Sequence, residues 1–299
     1  MYTVEQIKPE TLSTETTNAF AVLLTGSSYQ SHLHSNHPDT LLLGVRQHDQ
    51  PVGILVAALS PLIRLANVKW LFVNEQHRRQ GVATQLLQFL QALLKAENYQ
   101  LALLSYPGKH LISSGIEQLL HKLEWHAPRC SQIHCRFDEA KFNPPWLNQT
   151  YVVPTGFQEF LWNDISAHDR ESVKGQLEQG QMPAELSPFE NEELLEPLNS
   201  LGLRYKGHIV GWVITHRISP DTIRYDSLYI HRGWQQGGAA LRLLCHAIQL
   251  QKEAHVHWAE LTVNVSLVEA TWLRFLERRL IPYAQDVTYT NQSWISLEG

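Results

Sequence analysis

Two stretches of this 299-residue chain read as one unit written twice. In the first, Leu43-Gly44-Val45-Arg46 is followed by Val52-Gly53. In the second, Leu201-Gly202-Leu203-Arg204 is followed by Val210-Gly211, so the paired glycines lie nine residues apart in both copies. Downstream of each pair an apolar run turns polar and opens into a helix. The first such stretch is Leu71-Phe72-Val73-Asn74-Glu75-Gln76-His77-Arg78-Arg79-Gln80-Gly81-Val82-Ala83, entering Thr84-Gln85-Leu86-Leu87. The second is Leu228-Tyr229-Ile230-His231-Arg232-Gly233-Trp234-Gln235-Gln236-Gly237-Gly238-Ala239-Ala240, with Gln235, Gly238 and Ala240 where Arg78, Gly81 and Ala83 stand. Apolar helix faces follow in register: Ala83, Leu86, Leu87, Leu90, Leu93 and Leu94 in one, Leu243, Leu244, Ala247 and Leu250 in the other. Shared order, spacing and helical register imply two copies of one α/β unit.

The rest of the chain falls into place around these copies. Tyr2 to Ile7 alternates like a strand, Thr11 to about Leu24 suits a helix broken by Gly26-Ser27-Ser28, and residues 41–46 and 52–57 flank a polar hairpin turn. Residues 63–73 and 101–105 read as strands, 116–123 as an amphipathic helix and 131–137 as a closing strand. Phe142-Asn143-Pro144-Pro145-Trp146 then breaks regular structure, which places a linker at 142–155 between domains 1–141 and 156–299. In the second half, 156–162 reads as a strand, Ser166 caps a helix to Gln179, 181–197 reads as a helix-loop, 257–265 as a strand and 267–280 as the last helix.

Composition narrows the function classes. A formal charge of −5 without long charge runs argues against a dedicated nucleic-acid binder. No apolar run is long enough to span a membrane, and the acidic, polar start does not resemble a signal peptide. Cys130, Cys135 and Cys245 lack metal-site spacing and fit free thiols in a reducing, cytoplasmic setting. His32, His34 and His37 have no acidic or thiol partner nearby and read as a polar loop, so no metal is expected.

The repeated turn is the chemical feature. Free N–H groups and the positive end of a helix dipole favour a phosphate there, Gly81 lets the backbone come close to it, and Arg78 and Arg79 add charge. These residues resemble the acyl-coenzyme A signature of the GNAT superfamily of N-acetyltransferases, Leu-x-Val-x-Pro-x-x-(Arg or Gln)-x-x-Gly-x-(Gly or Ala). Glu75 stands at the proline position in the first copy and Arg232 in the second.

The resemblance implies an α/β chain of two tandem GNAT domains, each a mixed sheet whose fourth and fifth strands splay to admit the pantetheine. It implies acetyl-CoA or another acyl-CoA as donor, and direct attack by an amine acceptor of a small molecule or peptide. The donor would contact Leu71, Phe72, Val73, Arg78, Arg79, Gln80, Gly81, Val82, Ala83 and Thr84 in the first copy. In the second it would meet Ile230, Gln235, Gln236, Gly238 and Ala240. A strand N–H near Val73 or Ile230 would polarise the thioester. The family's helix tyrosine, which protonates the departing thiolate, aligns with Leu120 and Leu276, leaving Tyr106 as a substitute. The family's strand carboxylate aligns with Asn67 and Lys69 in the first copy and with Arg224 and Asp226 in the second, so Asp226 is the candidate base; alternation puts Arg224 and Asp226 on one face unless a bulge intervenes. The better-charged turn favours the first copy as the donor site. Two other functions fit the same residues. One is transfer of a fatty acyl chain to a peptide lysine or ornithine, with the aromatic connector lining a lipid cleft. The other is a non-catalytic coenzyme A sensor or scaffold, favoured by the missing tyrosines.

Overall fold

The computed structural model describes residues 1–25, 29–34, 38–108, 115–151, 155–235 and 238–297. The strands are β1 (Tyr2–Gln6), β2 (Thr40–Gln47), β3 (Gln50–Ser60), β4 (Leu65–Val73), β5 (Leu101–Gly108), β6 (Arg129–Asp138), β7 (Phe157–Leu161), β8 (Leu201–Tyr205), β9 (His208–Ser219), β10 (Thr222–Ile230), β11 (Trp258–Asn264) and β12 (Asp286–Ser296). The helices are α1 (Thr14–Leu23), α2 (Val82–Ala96), α3 (Gly115–Lys122), α4 (Ala167–Glu178), α5 (Ala239–Glu253) and α6 (Ala270–Phe275). Residues 26–28, which interrupt the first helix in the sequence, lie outside the described residues. Two compact units result: Met1–Ser131 with Thr290–Gly299, and Gln132–Tyr289.

In the first unit β1 to β4 run antiparallel, and β4 then pairs in parallel with β5. Alternation along β2 and β3 divides their side chains between two faces. Leu43, Val45 and Leu55 meet the buried stripe of α2 (Val82, Leu86, Leu87, Leu90 and Leu94). Leu42, Ile54 and Val56 meet Phe20, Leu23 and Leu24 of the α1 region. On the far side of β5 lies the end of the chain: Leu297 donates its N–H to the Gln100 carbonyl at 2.8 Å and Gln292 Nε2 donates to Ser105 Oγ at 3.2 Å.

The second unit repeats this plan. Strands β7 to β10 are antiparallel, and β10 is parallel to β11. Helix α5 covers Leu201, Leu203, Val213 and Ile230 through Leu243 and Ala247, while Val173 of α4 joins Trp162, Trp212 and Met182 on the other face. Ser166 caps α4, its Oγ accepting from the Asp169 N–H at 3.0 Å. Strand β6 joins this unit from Gln132 onward, antiparallel to β11 with Gln132 opposite Asn264 and Asp138 opposite Trp258. Residues 132–138, which precede the linker in sequence, thus pair with the second copy, and residues 290–297, which end the second copy, join the first. Division by contact and division by chain order therefore fall at different residues.

Two smaller differences have local causes. Residues 181–197 form short 3-10 turns (Ala184–Leu186, Glu192–Leu194) in place of a helix, because Pro183, Pro188 and Pro197 interrupt donation. The last helix is short, and continues from α6 as a wider π-turn over Leu276–Leu280.

The repeated glycines are packing requirements. A Cβ on Gly53 would lie 2.9 Å from Val82 Cγ1, so the start of α2 rests on the bare backbone of β3. A Cβ on Gly211 would stand 2.4 Å from Ile230 Cδ1 and 2.6 Å from the Tyr229 carbonyl oxygen. Because part of that obstacle is backbone, Gly211→Ala should destabilise by about 1–3 kcal/mol, read from the urea midpoint. Gly175, inside α4 with open space beside it, provides the contrast: Gly175→Ala should stabilise by about 0.5–1 kcal/mol.

Candidate active site

The site begins where β4 and β5 stop pairing. Their parallel ladder covers only Leu65–Val68 against Leu101–Leu104, although β4 runs on to Val73 and β5 to Gly108. The cause lies on the other edge of β4. Val56 faces Trp70 and Ala57 faces Val68, so Lys69 is an extra residue, a bulge that bends the strand away from its neighbour. The β5-facing N–H and C=O groups beyond Val68 are left without a strand partner, an edge that an extended ligand can join.

Val73 ends this edge and the turn begins. Asn74 donates its N–H to the Val52 carbonyl at 2.9 Å, and its Oδ1 accepts from the Gln76 N–H at 3.3 Å. Arg78 Nε donates to the Val73 carbonyl at 3.1 Å, Nη1 meets Glu75 Oε1 at 3.3 Å, and the guanidinium carbon sits 5.9 Å from the centre of the Phe72 ring. Gln80 is held from both ends: its Nε2 donates to the Gln76 carbonyl at 2.8 Å, and its Oε1 accepts from the Tyr2 hydroxyl at 2.6 Å. Arg79 and Gly81 both have positive φ, +59° and +86°. Such turns aim successive N–H groups into one concavity.

Gly81 caps α2 without a side chain, and a Cβ there would touch nothing within 4 Å. The first intrahelical donor is Gln85, whose N–H reaches the Gly81 carbonyl at 3.0 Å. Among the described residues, no acceptor receives the backbone N–H groups of Arg79, Gln80, Gly81, Val82, Ala83 or Thr84. Six adjacent free donors at a helix N-terminus form an anion seat. Arg78 is partly engaged in holding the turn. Arg79 is exposed, with no side-chain partner among the described residues, and is the cation available to a phosphate.

The second copy has the same scaffold and different access. Beta pairing of β10 with β11 again covers four residues, Thr222–Tyr225 against Trp258–Leu261, and the bulge again follows at once, at Asp226. His231 replaces Asn74, donating its N–H to the Val210 carbonyl at 2.8 Å while its Nδ1 accepts from the Gly233 N–H at 3.3 Å. Gln235 replaces Arg78 in the clamp, its Nε2 reaching the Ile230 carbonyl at 3.1 Å. Gly238 caps α5 with φ +78°, but here the aromatic ring of Tyr151 lies against it, and a Cβ would come 3.2 Å from Tyr151 Cδ1. Ile230 is buried, Ala240 sits in the first turn of α5, and Gln236 lies outside the described residues.

The candidate proton-transfer groups stand in different settings. Tyr106 lies on β5 two residues past the last paired position and is buried, with its hydroxyl donating to Glu117 Oε1 at 3.4 Å. Burial, with the nearby Glu117 carboxylate, pushes its phenol up to about 12, so it keeps its proton through the physiological range. Leu120 and Leu276, expected from the resemblance to stand at the tyrosine position, are both buried. Asp226 shares a sheet face with Arg224 despite the bulge: its carboxylate takes Arg224 Nε at 2.7 Å and Nη2 at 2.9 Å, and also meets Nδ1 of the buried His216. The sequence shows neither His216 in this cluster nor the clamp made by Arg78 and Gln235, since both depend on register across a bulge. Among the described residues no group of His, Cys, Asp and Glu is placed to hold a metal ion; His37 of the histidine-rich loop lies outside them. No helix among them is long and apolar enough to cross a membrane.

Residues 38–114 match the family model described as the acetyltransferase (GNAT) domain. Across its full length the chain resembles a tandem GNAT protein from the clavulanic acid biosynthesis pathway, with TM-score 0.57, 15% identity, and coverage of 100% of this chain and 99% of that one. A GCN5-related N-acetyltransferase from Sphaerobacter thermophilus gives TM-score 0.57 at 12% identity, covering 100% of this chain and 96% of that one. No curated protein sequence matches the chain. Residues 38–114 thus match the family's domain, and over its whole length the chain has the fold of tandem GNAT proteins.

The raised phenol of Tyr106 gives a measurable signature. The phenolate absorbance lost in Tyr106→Phe should titrate with a midpoint near 12 in the folded protein. The unfolded value is 10.0, so the fold holds this proton where the unfolded chain has released it. The associated stability is complete below pH 10.0 and fades as pH rises through 12. A midpoint at the ordinary tyrosine value would show a solvated hydroxyl.

Proposed function

We propose that the protein is an acyl-CoA-dependent N-acyltransferase whose donor site is in the first unit. The observation that carries this reading is the row of six unengaged N–H groups from Arg79 to Thr84 at an open Gly81, beside the free edge of β4. The pyrophosphate takes those donors and the Arg79 charge. The pantetheine extends along β4 beyond Val68 as an added strand, which brings the thioester toward the bulge. Leu71, Phe72 and Val73 supply this edge, and Val82, Ala83 and Thr84 the first helical turn. The second-copy residues Ile230, Gln235, Gly238 and Ala240 keep the frame of the turn without its access.

The acceptor amine attacks the thioester carbonyl carbon. The carbon–sulfur bond breaks, a backbone N–H of the β4 edge stabilises the oxyanion, the attacking nitrogen loses one proton to solvent, and the departing thiolate takes one. Tyr106 is the donor of that proton, because it lies on the splayed part of β5 and remains protonated at neutral pH. Asp226, already bound by Arg224 and His216, serves as an ion-pair anchor for the second unit's bulge.

The acyl group and the acceptor are the finer part of the reading. Transfer of a long acyl chain drew on an aromatic cleft around the connector. Trp146 and Trp162 are both buried against protein and offer no surface to a long chain, which supports a short acyl group. A coenzyme A sensor is the second reading, favoured by the buried Leu120 and Leu276.

Gly81→Glu places a carboxylate in the anion seat at a backbone angle that side chains resist. It should abolish coenzyme A binding in titration calorimetry, while Gly238→Glu leaves binding within about twofold, an effect of about 0.4 kcal/mol. Reversed results would move the donor site to the second unit. Release of free thiol from acetyl-CoA with a panel of amines then separates the enzyme from the sensor, which would bind and release nothing.

A further inference from the structure

The second unit's turn is covered by the chain itself. After β6, the connector from Phe142 to Tyr151 stays within the second unit. Phe142 packs its ring on Phe137 and Tyr283, at centroid distances of 5.2 and 6.3 Å, and on Trp146 at 6.0 Å. Trp146 is buried, its ring 5.7 Å from that of Phe275 in α6 and its Nε1 donating to the Arg279 carbonyl at 3.0 Å. The Trp146 carbonyl accepts from the Tyr151 hydroxyl at 2.9 Å and faces Cys245 Sγ of α5 at 3.9 Å. Tyr151 then rests on Gly238, the cap of α5.

The first unit gives the reference for what this covers. Gly81 is exposed and Gly238 is half-buried under the tyrosine ring. Seven residues into each helix the contrast repeats, with Gln88 exposed and Cys245 buried. Burial also pushes the Cys245 thiol up to about 11, which keeps it unreactive at neutral pH. One aromatic side chain thus covers the position that Gly81 leaves open, and the Trp146 carbonyl that accepts from its hydroxyl faces the same helix at Cys245.

We propose that Tyr151, anchored by the Trp146 carbonyl, is a built-in occupant of the second unit's donor seat. It excludes coenzyme A from that seat in the native chain, and the second unit serves as scaffold for a single donor site. The proposal rests on the reading that residues 79–84 hold the donor. It goes beyond it by assigning the connector as the cause of the second unit's silence, rather than the loss of arginines from its turn.

Native mass spectrometry with coenzyme A should show one equivalent per wild-type chain and none on Gly81→Glu. Two equivalents on the wild type, one of them lost in Gly238→Glu, would overturn the occupant while leaving the first-unit donor site intact. One equivalent that survives Gly81→Glu and is lost in Gly238→Glu would overturn both. Hydrogen exchange tests the cover directly. In Tyr151→Ala, which removes the ring over the cap and its hydrogen bond to the Trp146 carbonyl, the peptide containing residues 238–245 should exchange at least about tenfold faster, with the peptide containing 79–84 unchanged. In the wild type, coenzyme A should protect 79–84 and leave 238–245 as it was. Unchanged exchange at 238–245 in Tyr151→Ala, or protection there by coenzyme A, would overturn the proposal.

Discussion

Four residues of parallel pairing, and no more, set the terms for this molecule. Leu65–Val68 against Leu101–Leu104 is enough to hold β4 and β5 together at one end, and the bulge at Lys69 ensures that the ladder goes no further. A sheet that paired through to Val73 would satisfy its own backbone and have nothing to offer a ligand. Because it stops, a run of strong donors and acceptors faces a wedge, ending at a turn whose N–H groups are also free. The same arithmetic recurs in the second unit, at Thr222–Tyr225 and Asp226. The bulge residue is a lysine in one unit and an aspartate in the other, so its backbone role is independent of its side chain.

Much of this was legible in the residues, and for a physical reason. Gly53 and Gly211 sit where a helix or the following strand presses on bare backbone, and Gly81 and Gly238 where φ is positive, so these positions tolerate little else. Positions under such constraints keep their spacing while the surrounding strands drift within apolar composition. Hence the repeat is readable, along with the helices that follow it. What could not be read depends on registration between segments far apart in the chain. The arginine in the turn reads as a ligand for phosphate, yet Gln235 makes the same hydrogen bond to a strand-end carbonyl, which shows the position to be a clamp first. Asp226 reads as a free base until His216 and Arg224 are found on its carboxylate. Tyr151, the residue that most separates the two turns in access, lies in a connector with no pattern of its own.

The two units therefore show one frame under different demands. In both, a side chain caps the turn after the strand, a second clamps the strand end, and a glycine opens the helix. The first unit leaves that arrangement exposed and charged. In the second, a neutral clamp and an aromatic cover turn it into ordinary packing, and Asn199, Thr215, Tyr225 and Gln251 form a buried hydrogen-bond network beside α5. Such a network is costly when half satisfied and rigid when complete, as suits a unit whose value is in holding its shape.

The placement of the terminal strands has a consequence for how the molecule is made. The edge of β5 is completed by residues 290–297, so during synthesis the first unit waits, with an open and strongly apolar sheet edge, until nearly all of the second has been produced. Residues 132–138, already synthesised, wait likewise for β11. Neither unit completes its sheet from its own half of the chain alone. A chain that is cut at its sequence boundary loses an edge strand from each half, and exposed edges of that kind recruit other chains.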